Sequence, residues 1–473
     1  MISGKHPGWF AVGFLFFSGC SSIALNAGFD DVSATVEQRA AIKIFWNNGN
    51  ELDKEAAEKL GALLKAKLNA DEAVQIALLN NRDLQALYAE LGVAQADLVQ
   101  AGLLKNPIFD ASVMFPISGG GRPDLELSAV MNFLDVFYLP LRQRVAAARF
   151  EETKTRLAGS VLDFTGRVRN AFYYYEADEQ LLELRQTIVQ ALAASFEIAR
   201  RLHTAGNITD LDFARERALL ESGKLALRSA EVRVRQRREE LNILMGLWGT
   251  QTDWQTQRRL PEIADRPIPT DDIEQLALKQ SLDLSAARQR IEIAGGQLGF
   301  TRWTRLLPEI DAGPSAERRD GSWEVGPRLE FPLPLFDQGQ AQVGRAAAEL
   351  RRSQQDYYAV AVRVRSTARA VRDRLDGAHD RALYYRDILL PLHERIVNEA
   401  QLQYNAMQLG PVQLLRARER QIETAVGYVE TLREYWIARA DLVQILSGRL
   451  PGSMTAMSSG ANRPAAMREG EGH

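Results

Sequence analysis

The side chains best able to do chemistry in this chain are few and scattered. Its histidines are His6, His203, His379, His393 and His473, and none forms HExxH or another paired-ligand spacing. Gly119-Gly120-Gly121 lacks the lysine and the following helix of a phosphate-binding loop. Tyr173-Tyr174-Tyr175 lies in a helical stretch, where consecutive side chains point in different directions and pack. No metal site, cofactor site or catalytic constellation is legible, so the chain reads as a non-enzyme. The single thiol, Cys20, excludes an intrachain disulfide. It stands directly behind an apolar run, Trp9 to Phe17, and Ser18-Gly19. The chemistry open to a thiol in that position is acylation.

That apolar run is too short to span a bilayer and, behind Lys5 and His6, suits a secretory signal over residues 1–19. The small residues before Cys20 resemble a bacterial lipoprotein lipobox, with Phe17 where Leu is usual. Ser21 resembles the kind sorted to the outer membrane. Residues 20–70 are then a lipidated linker with a helix around Glu51–Leu68. The net charge of -3 implies neither nucleic acid nor a polyanion as partner. No stretch reaches about 18 apolar residues, so membrane residence must come from strands or a lipid.

The other chemically interesting groups are charges set in alternating runs. In Ile108–Phe115, Phe109, Ala111, Val113 and Phe115 oppose Asp110 and Ser112. In Leu125–Asn132, Leu125, Leu127, Ala129 and Met131 oppose Glu126, Ser128 and Asn132. Farther on, Ile310, Ala312 and Ala316 oppose Asp311 and Ser315, and Trp323, Val325, Leu329 and Phe331 oppose Glu324, Arg328 and Glu330. Such runs fit strands of a membrane barrel, with Trp323 and Phe331 at opposite interfaces. Asp110, Glu126, Asp311, Glu324, Arg328 and Glu330 would face a water-filled lumen and mildly favour cations. Pro327 predicts a bulge or distortion. Four strands cannot close a barrel and lipid tolerates no open edge, so subunits must pool their strands.

The elements that position these runs come in two copies. Asp71–Leu84 (DEAVQIALLNNRDL) and Asp271–Leu284 (DDIEQLALKQSLDL) match 200 residues apart. Each copy continues with a proline, two alternating runs and a long helix. Leu141 to His203 is free of proline and rich in good helix formers, roughly 90 Å of helix at 1.5 Å per residue. Gly206 and Asn207 stop it, Thr209 and Asp210 are N-cap candidates, and a second helix runs from Leu211 to Met245. In the second copy, helix runs from near Gln340 toward Leu390, is broken or restarted at Pro391, and continues to about Gln408. Leu409-Gly410-Pro411 is the tip, and Val412–Leu446 the return helix. Leu219, Leu225, Val232 and Leu241 form a narrow apolar seam suited to packing against neighbours rather than to a globular core. The repeats occupy residues 71–250 and 271–450, with a linker at 251–270 and a disordered tail at 451–473.

This order resembles the TolC-like outer membrane efflux protein family over about residues 71–448. The matching pieces are Lys105-Asn106-Pro107 and Leu306-Leu307-Pro308 before the strands, and Pro332 through Gly339 (PLPLFDQG) between strand and helix. Gly206 through Leu211 (GNITDL) and Tyr404 through Leu415 (YNAMQLGPVQLL) resemble the two hairpin tips. The resemblance implies a mainly α fold with a membrane β-barrel contribution. Antiparallel helical hairpins in a two-fold repeat would build a trimeric α-barrel, topped by a 12-stranded β-barrel with four strands per subunit. It implies a homotrimer in the outer membrane, in contact with its lipid, that serves as a passive duct. A periplasmic adaptor and an inner-membrane pump would be its partners. The family closes its periplasmic end at the tips, often with acids after the second tip's glycine. Here Gln413 and Arg416 stand in that place, while the first tip carries Asp210 and Asp212, and Asp210 is the gate candidate. The alternative is a periplasmic coiled-coil scaffold or adaptor without a pore, although no lipoyl-like or compact β-domain is legible.

If Cys20 is acylated, cells fed a labelled fatty acid will label the protein and Cys20→Ala will abolish the label. Labelling retained in Cys20→Ala would refute the anchor.

Overall fold

A computed structural model describes residues 26–452 except 48, 50, 116, 118–121, 270, 271, 307, 308, 320 and 321. The signal, Cys20, Gly119-Gly120-Gly121, Asp271, Leu307-Pro308 and the tail from Ser453 lie outside the described residues.

Each copy opens with two short helices hinged at a capping residue. In the first, Asn69 forms a capping box with Glu72 at the start of α3 (Ala70–Asn80), and Asn81 accepts from the Leu84 amide to start α4 (Arg82–Ala101). In the second, Ser281 accepts from the Leu284 amide between α7 (Ile273–Gln280) and α8 (Leu282–Thr304). Asn81 and Ser281 do the same work, which explains why the sequence repeats there.

Four strands follow: β2 (Ile108–Met114), β3 (Asp124–Asn132), β5 (Asp311–Arg319) and β6 (Ser322–Glu330). They form one antiparallel sheet in the order β2-β3-β5-β6, so the copies join at β3–β5. The bulge or distortion expected at Pro327 is absent from the β5–β6 pairing. The β5–β6 register is unbroken from Asp311↔Glu330 to Arg319↔Ser322, with Pro327 opposite Pro314. The disturbance falls on the other side of β5, where pairing with β3 lapses between Ser128↔Ser315 and Met131↔Ala312. A proline has no N–H to give that ladder. Beside it, Gly313 lies so close to β3 that a Cβ would stand 1.8 Å from the Ala129 carbonyl oxygen, so only glycine fits.

The first hairpin is α5 (Asp135–Thr204), 70 residues long, and α6 (Asp210–Met245). At 1.5 Å per residue α5 spans about 105 Å. It starts six residues earlier than the sequence suggests and runs through Pro140. A local anchor holds that start: Asp135 pairs with Arg142 at 2.7 Å, and Arg142 also donates to the Ala101 and Leu103 carbonyls. The second hairpin comprises α9 (Gln340–Tyr384), a π-helical turn (Tyr385–Leu389), α10 (Leu390–Asn405) and α11 (Pro411–Leu446). The break expected at Pro391 thus appears as a π turn just ahead of it. Of the predicted seam, Leu241 is buried but Leu219, Leu225 and Val232 are exposed on the single chain. The buried α6 positions are instead Glu216, Leu220, Ala230, Leu241, Asn242 and Met245.

Two stretches expected to be linkers carry structure. Within 20–70 there is a helix, α1 (Phe29–Ala40), packed on α5, then α2 (Glu51–Lys65), shorter than expected. A short strand, β1 (Lys67–Leu68), pairs in parallel with β4 (Gln255–Thr256) from the 251–270 segment. Next to β4, Trp254 is buried, donates to the Asn242 side chain at 2.8 Å and lies under the Arg238 guanidinium. These pieces form a belt around the middle of the hairpins.

Glu176 of α5 is buried at this level. Burial, with repulsion from Glu179 added, pushes its carboxyl up to about 8. The unfolded chain releases this proton near the ordinary value of 4.5, so wild-type stability falls as pH rises from about 4.5 to about 8. Glu176→Gln should therefore raise the thermal midpoint at pH 8 and barely change it at pH 5. An equal effect at both pH values would contradict the assignment.

Candidate functional site: the polar sheet face and the hairpin tips

Directly paired residues in a sheet share a face, so the registers assign every strand residue to one side. Asp110 pairs with Ser128 and Ser112 with Glu126. Glu126 pairs with Glu317, and Glu317 with Glu324. Asp311 pairs with Asn132 and Glu330, and Arg328 with Gly313. All six charged residues singled out from the sequence therefore lie on one face. The structure adds Asp124, Glu317 and Arg319 to it. The strand parity that found Glu126 would have found these too, but they lie at strand ends beyond the alternating runs read from the sequence.

The nearest countercharges are accounted for. Arg328 reaches over Gly313, which has no side chain to block it, and donates to Glu126 at 2.9 Å. Arg319 lies 2.5 Å from Glu317. On this face seven carboxylates (Asp110, Asp124, Glu126, Asp311, Glu317, Glu324, Glu330) face two arginines. The opposite face carries Phe109, Val113, Leu125, Leu127, Met131, Trp323, Val325 and Leu329, with Arg318 as its one charge, near the loop end. Phe109 is 68% exposed and Val325 77%. An apolar band continues below the sheet where strands meet helices: Phe133, Phe137, Trp303, Phe331, Leu335 and Phe336 are all exposed. Trp323 and Phe331 do fall at opposite ends of β6, but the sequence pattern missed the rest of this band because it lies outside the strands.

About 100 Å away the tips repeat one geometry. At the first, Gly206 has φ 74°, with bonds from its amide to the His203 carbonyl and from Asn207 to Leu202. At the second, Met407 takes that place with φ 60°, bonded to Tyr404, while Gln408 bonds to Gln403. Gly410 is not left-handed (φ -77°); it is the N-cap of α11, and Gln413 folds back over it. Thr209, not Asp210, caps α6, accepting from the Asp212 amide and donating to its carboxylate. Asp210 is free to turn outward. Its side chain is 99% exposed and lies 2.6 Å from His203 Nε2, across the tip. The His203 ring stacks on Phe213. Arg416 lies in the second turn of α11. It donates to buried Glu216 of α6 at 3.0 Å, and Ser195 of α5 donates to the other oxygen. This contact ties hairpin to hairpin, and no local pattern signals it.

Among the described residues no group of three or more His, Cys, Asp or Glu is placed to hold a metal ion. No described helix is long and apolar enough to cross a membrane. The described sheet has one charged face and one mainly apolar face and is carried on two long helical hairpins. Residues 73–247 match the family model described as outer membrane efflux protein. The cobalt-zinc-cadmium resistance protein CzcC of Cupriavidus metallidurans is 21% identical over 399 residues, 80% of this chain and 90% of CzcC. The probable efflux pump outer membrane protein TtgC of Pseudomonas putida is 23% identical over 57% of this chain and 60% of TtgC. Among solved structures, the CmeC outer membrane channel of Campylobacter jejuni superposes with a TM-score of 0.62 at 16% identity, covering 91% of this chain and 96% of that one. The outer membrane protein VceC of Vibrio cholerae gives 0.63 at 15% identity over 80% and 96%. Over residues 73–247 the chain is similar to the outer membrane efflux protein family, and its fold is that of the outer-membrane channels CmeC and VceC.

Met407 pays the left-handed penalty that Gly206 avoids, about 1–2 kcal/mol for an L-residue. Met407→Gly should therefore raise stability by about 1 kcal/mol, less than the full penalty because glycine also loosens the unfolded chain. A thermal midpoint in detergent that stays level or drops would show that Met407 has another role.

Proposed function

We propose that three copies of this chain close one barrel and one helical tunnel, forming the outer-membrane duct of a tripartite efflux system. The observation that carries this is the sheet itself: all its charges but Arg318 share one face, most of its apolar residues share the other, and β2 and β6 are open edges. Two copies would give eight strands, a barrel whose interior side chains fill it. Three give twelve and leave room for water. The exposed stripe of Leu219, Leu225 and Val232 on α6, and of Tyr358 and Val362 on α9, suits burial against neighbouring copies. The apolar sheet face and the band of Phe133, Phe137, Trp303 and Phe336 suit lipid and its interface. A pore-free scaffold has no use for such a face.

The duct is passive. Cargo comes from an inner-membrane pump through a periplasmic adaptor that meets the hairpin ends. CzcC is named for cobalt, zinc and cadmium resistance, and the carboxylate excess on the wet face favours cations in the same sense. The position of Gly28 supports lipidation at Cys20. Gly28 lies against Phe150 and Lys154 of α5. Fifteen residues of helix from there to Asp135 rise about 22 Å, and the eight residues from Cys20 to Gly28 reach about 27 Å when extended.

Purified protein should run as a trimer in detergent and give steady conductance in planar bilayers; a monomer that stays soluble without detergent would end the proposal. Asp210→Ala, which frees His203 at the tip, should raise that conductance. An unchanged value would count against Asp210 as a gate residue.

A further inference from the structure

The chain leaves its last helix through a strap bonded to two other helices. Arg449 spans Asp163 of α5 and Asp283 of α8, and the Leu450 amide donates to Asp283 at 3.2 Å. Gln444 of α11 donates to Asp163 at 3.0 Å and to the Leu450 carbonyl. On α5, Gly159 lies against Arg449 and Gly166 against Gln444, so the strap sits close to the helix backbone. Pro451 is buried. Together these contacts fix where the chain emerges at Gly452.

It emerges in a groove of about 840 Å³, which Gly452 itself helps to line. The walls include Arg167, Asn170 and Tyr174 of α5 and Arg237, Ile243 and Leu244 of α6. Tyr174 is held between the guanidiniums of Arg237 and Arg433, 4.6 and 5.6 Å from its ring centre, so this wall is preformed. Ile243 is 71% exposed. The belt packs elsewhere: Val168, Phe172 and Tyr175 of α5 share one core with Leu241 and Met245 of α6 and with Trp254. At 3.6 residues per turn, positions 167 and 174 lie about 100° round α5 from 168 and 175. The groove therefore opens away from the belt. A concave apolar surface with a polar rim takes a ligand, and the occupant nearest to hand is the chain's own continuation, Ser453-Met454-Thr455-Ala456-Met457. At about 3.3 Å per residue, Met454 reaches about 7 Å from Gly452 and Met457 about 17 Å. Methionine fills irregular apolar gaps and packs well against aromatic rings. We propose that residues 453–457 dock in this groove, with Met454 and Met457 covering Ile243, Leu244 and Tyr174. One consequence, a tunnel narrowed at the height of the belt, rests on the duct reading; the docking itself does not.

Thiol labelling of the full chain in detergent tests the docking directly. The probe is a maleimide, the target is Ile243→Cys, and the wild type, whose one cysteine is Cys20, is the blank. Removing residues 453–473 should speed labelling at position 243 about tenfold, because the docked segment must open locally before the thiol can react. Labelling of Arg228→Cys, exposed on α6 away from the groove, should be the same in both chains. Met454→Ser combined with Met457→Ser makes the same test without shortening the chain, and should give a similar rise at position 243. Equal rates at position 243 in the full and shortened chains overturn the proposal, whether the groove is empty or covered by a neighbouring copy. So does a rise on shortening that the two serines fail to reproduce, since the methionines are then not what covers Ile243. Bilayer conductance of the same samples separates the two readings. A conducting protein with equal labelling keeps the duct and loses the docked segment, and a non-conducting one with the expected labelling does the reverse.

Discussion

A strand edge in hydrocarbon leaves a row of backbone donors and acceptors unpaired, and each costs several kcal/mol. β2 and β6 are the open edges of this sheet, and the proposed duct would set both in hydrocarbon. That constraint governs the rest. The strands must keep a constant register so that one face stays wet and the other apolar, and they do so even past Pro314 and Pro327. The helices must leave the strands at a fixed angle, which is the work of the Arg142–Asp135 pair and the carbonyls it holds. The hairpin flanks then keep exposed apolar stripes that a single chain has no means to cover.

Along the hairpins a second constraint takes over. Narrow apolar seams specify register poorly, since one helix can slide along another at little cost. Here buried and half-buried carboxylates fix it. Asp441 of α11 meets Arg374 of α9 at 3.2 Å and Asn170 of α5. Asp178 of α5 sits between Arg237 of α6 and Arg433 of α11; burial raises its carboxyl, and the arginines oppose that rise only in part. Arg449 links Asp163 of α5 to Asp283 of α8. Removing an arginine from buried Asp178 or Asp441 strands a buried charge at a cost of about 3–5 kcal/mol. A slip along the helix axis would do the same at several sites at once.

Much of this was legible in advance because it depends on short-range rules. Strand parity found Asp110, Glu126 and Glu324 on one face. Gly206 and Thr209 marked the first tip by backbone conformation and capping. The misses share a cause. α1, β1 and β4 are short segments of ordinary composition that take their form from packing on α5 and from pairing with each other. Met407 holds a conformation its residue type disfavours, and nothing local signals it.

The sequence by itself determined the duplicated plan, the alternating strands, the length of the helices and the places where they turn back. Those features arise from periodicity, capping and proline, each acting within a few residues. The tertiary structure alone decided that Arg416 reaches Glu216, that Arg328 crosses Gly313 to Glu126, and that three presumed seam leucines and valines remain uncovered. Such contacts join residues up to about two hundred positions apart, and no local rule brings together groups that only the folded register makes neighbours.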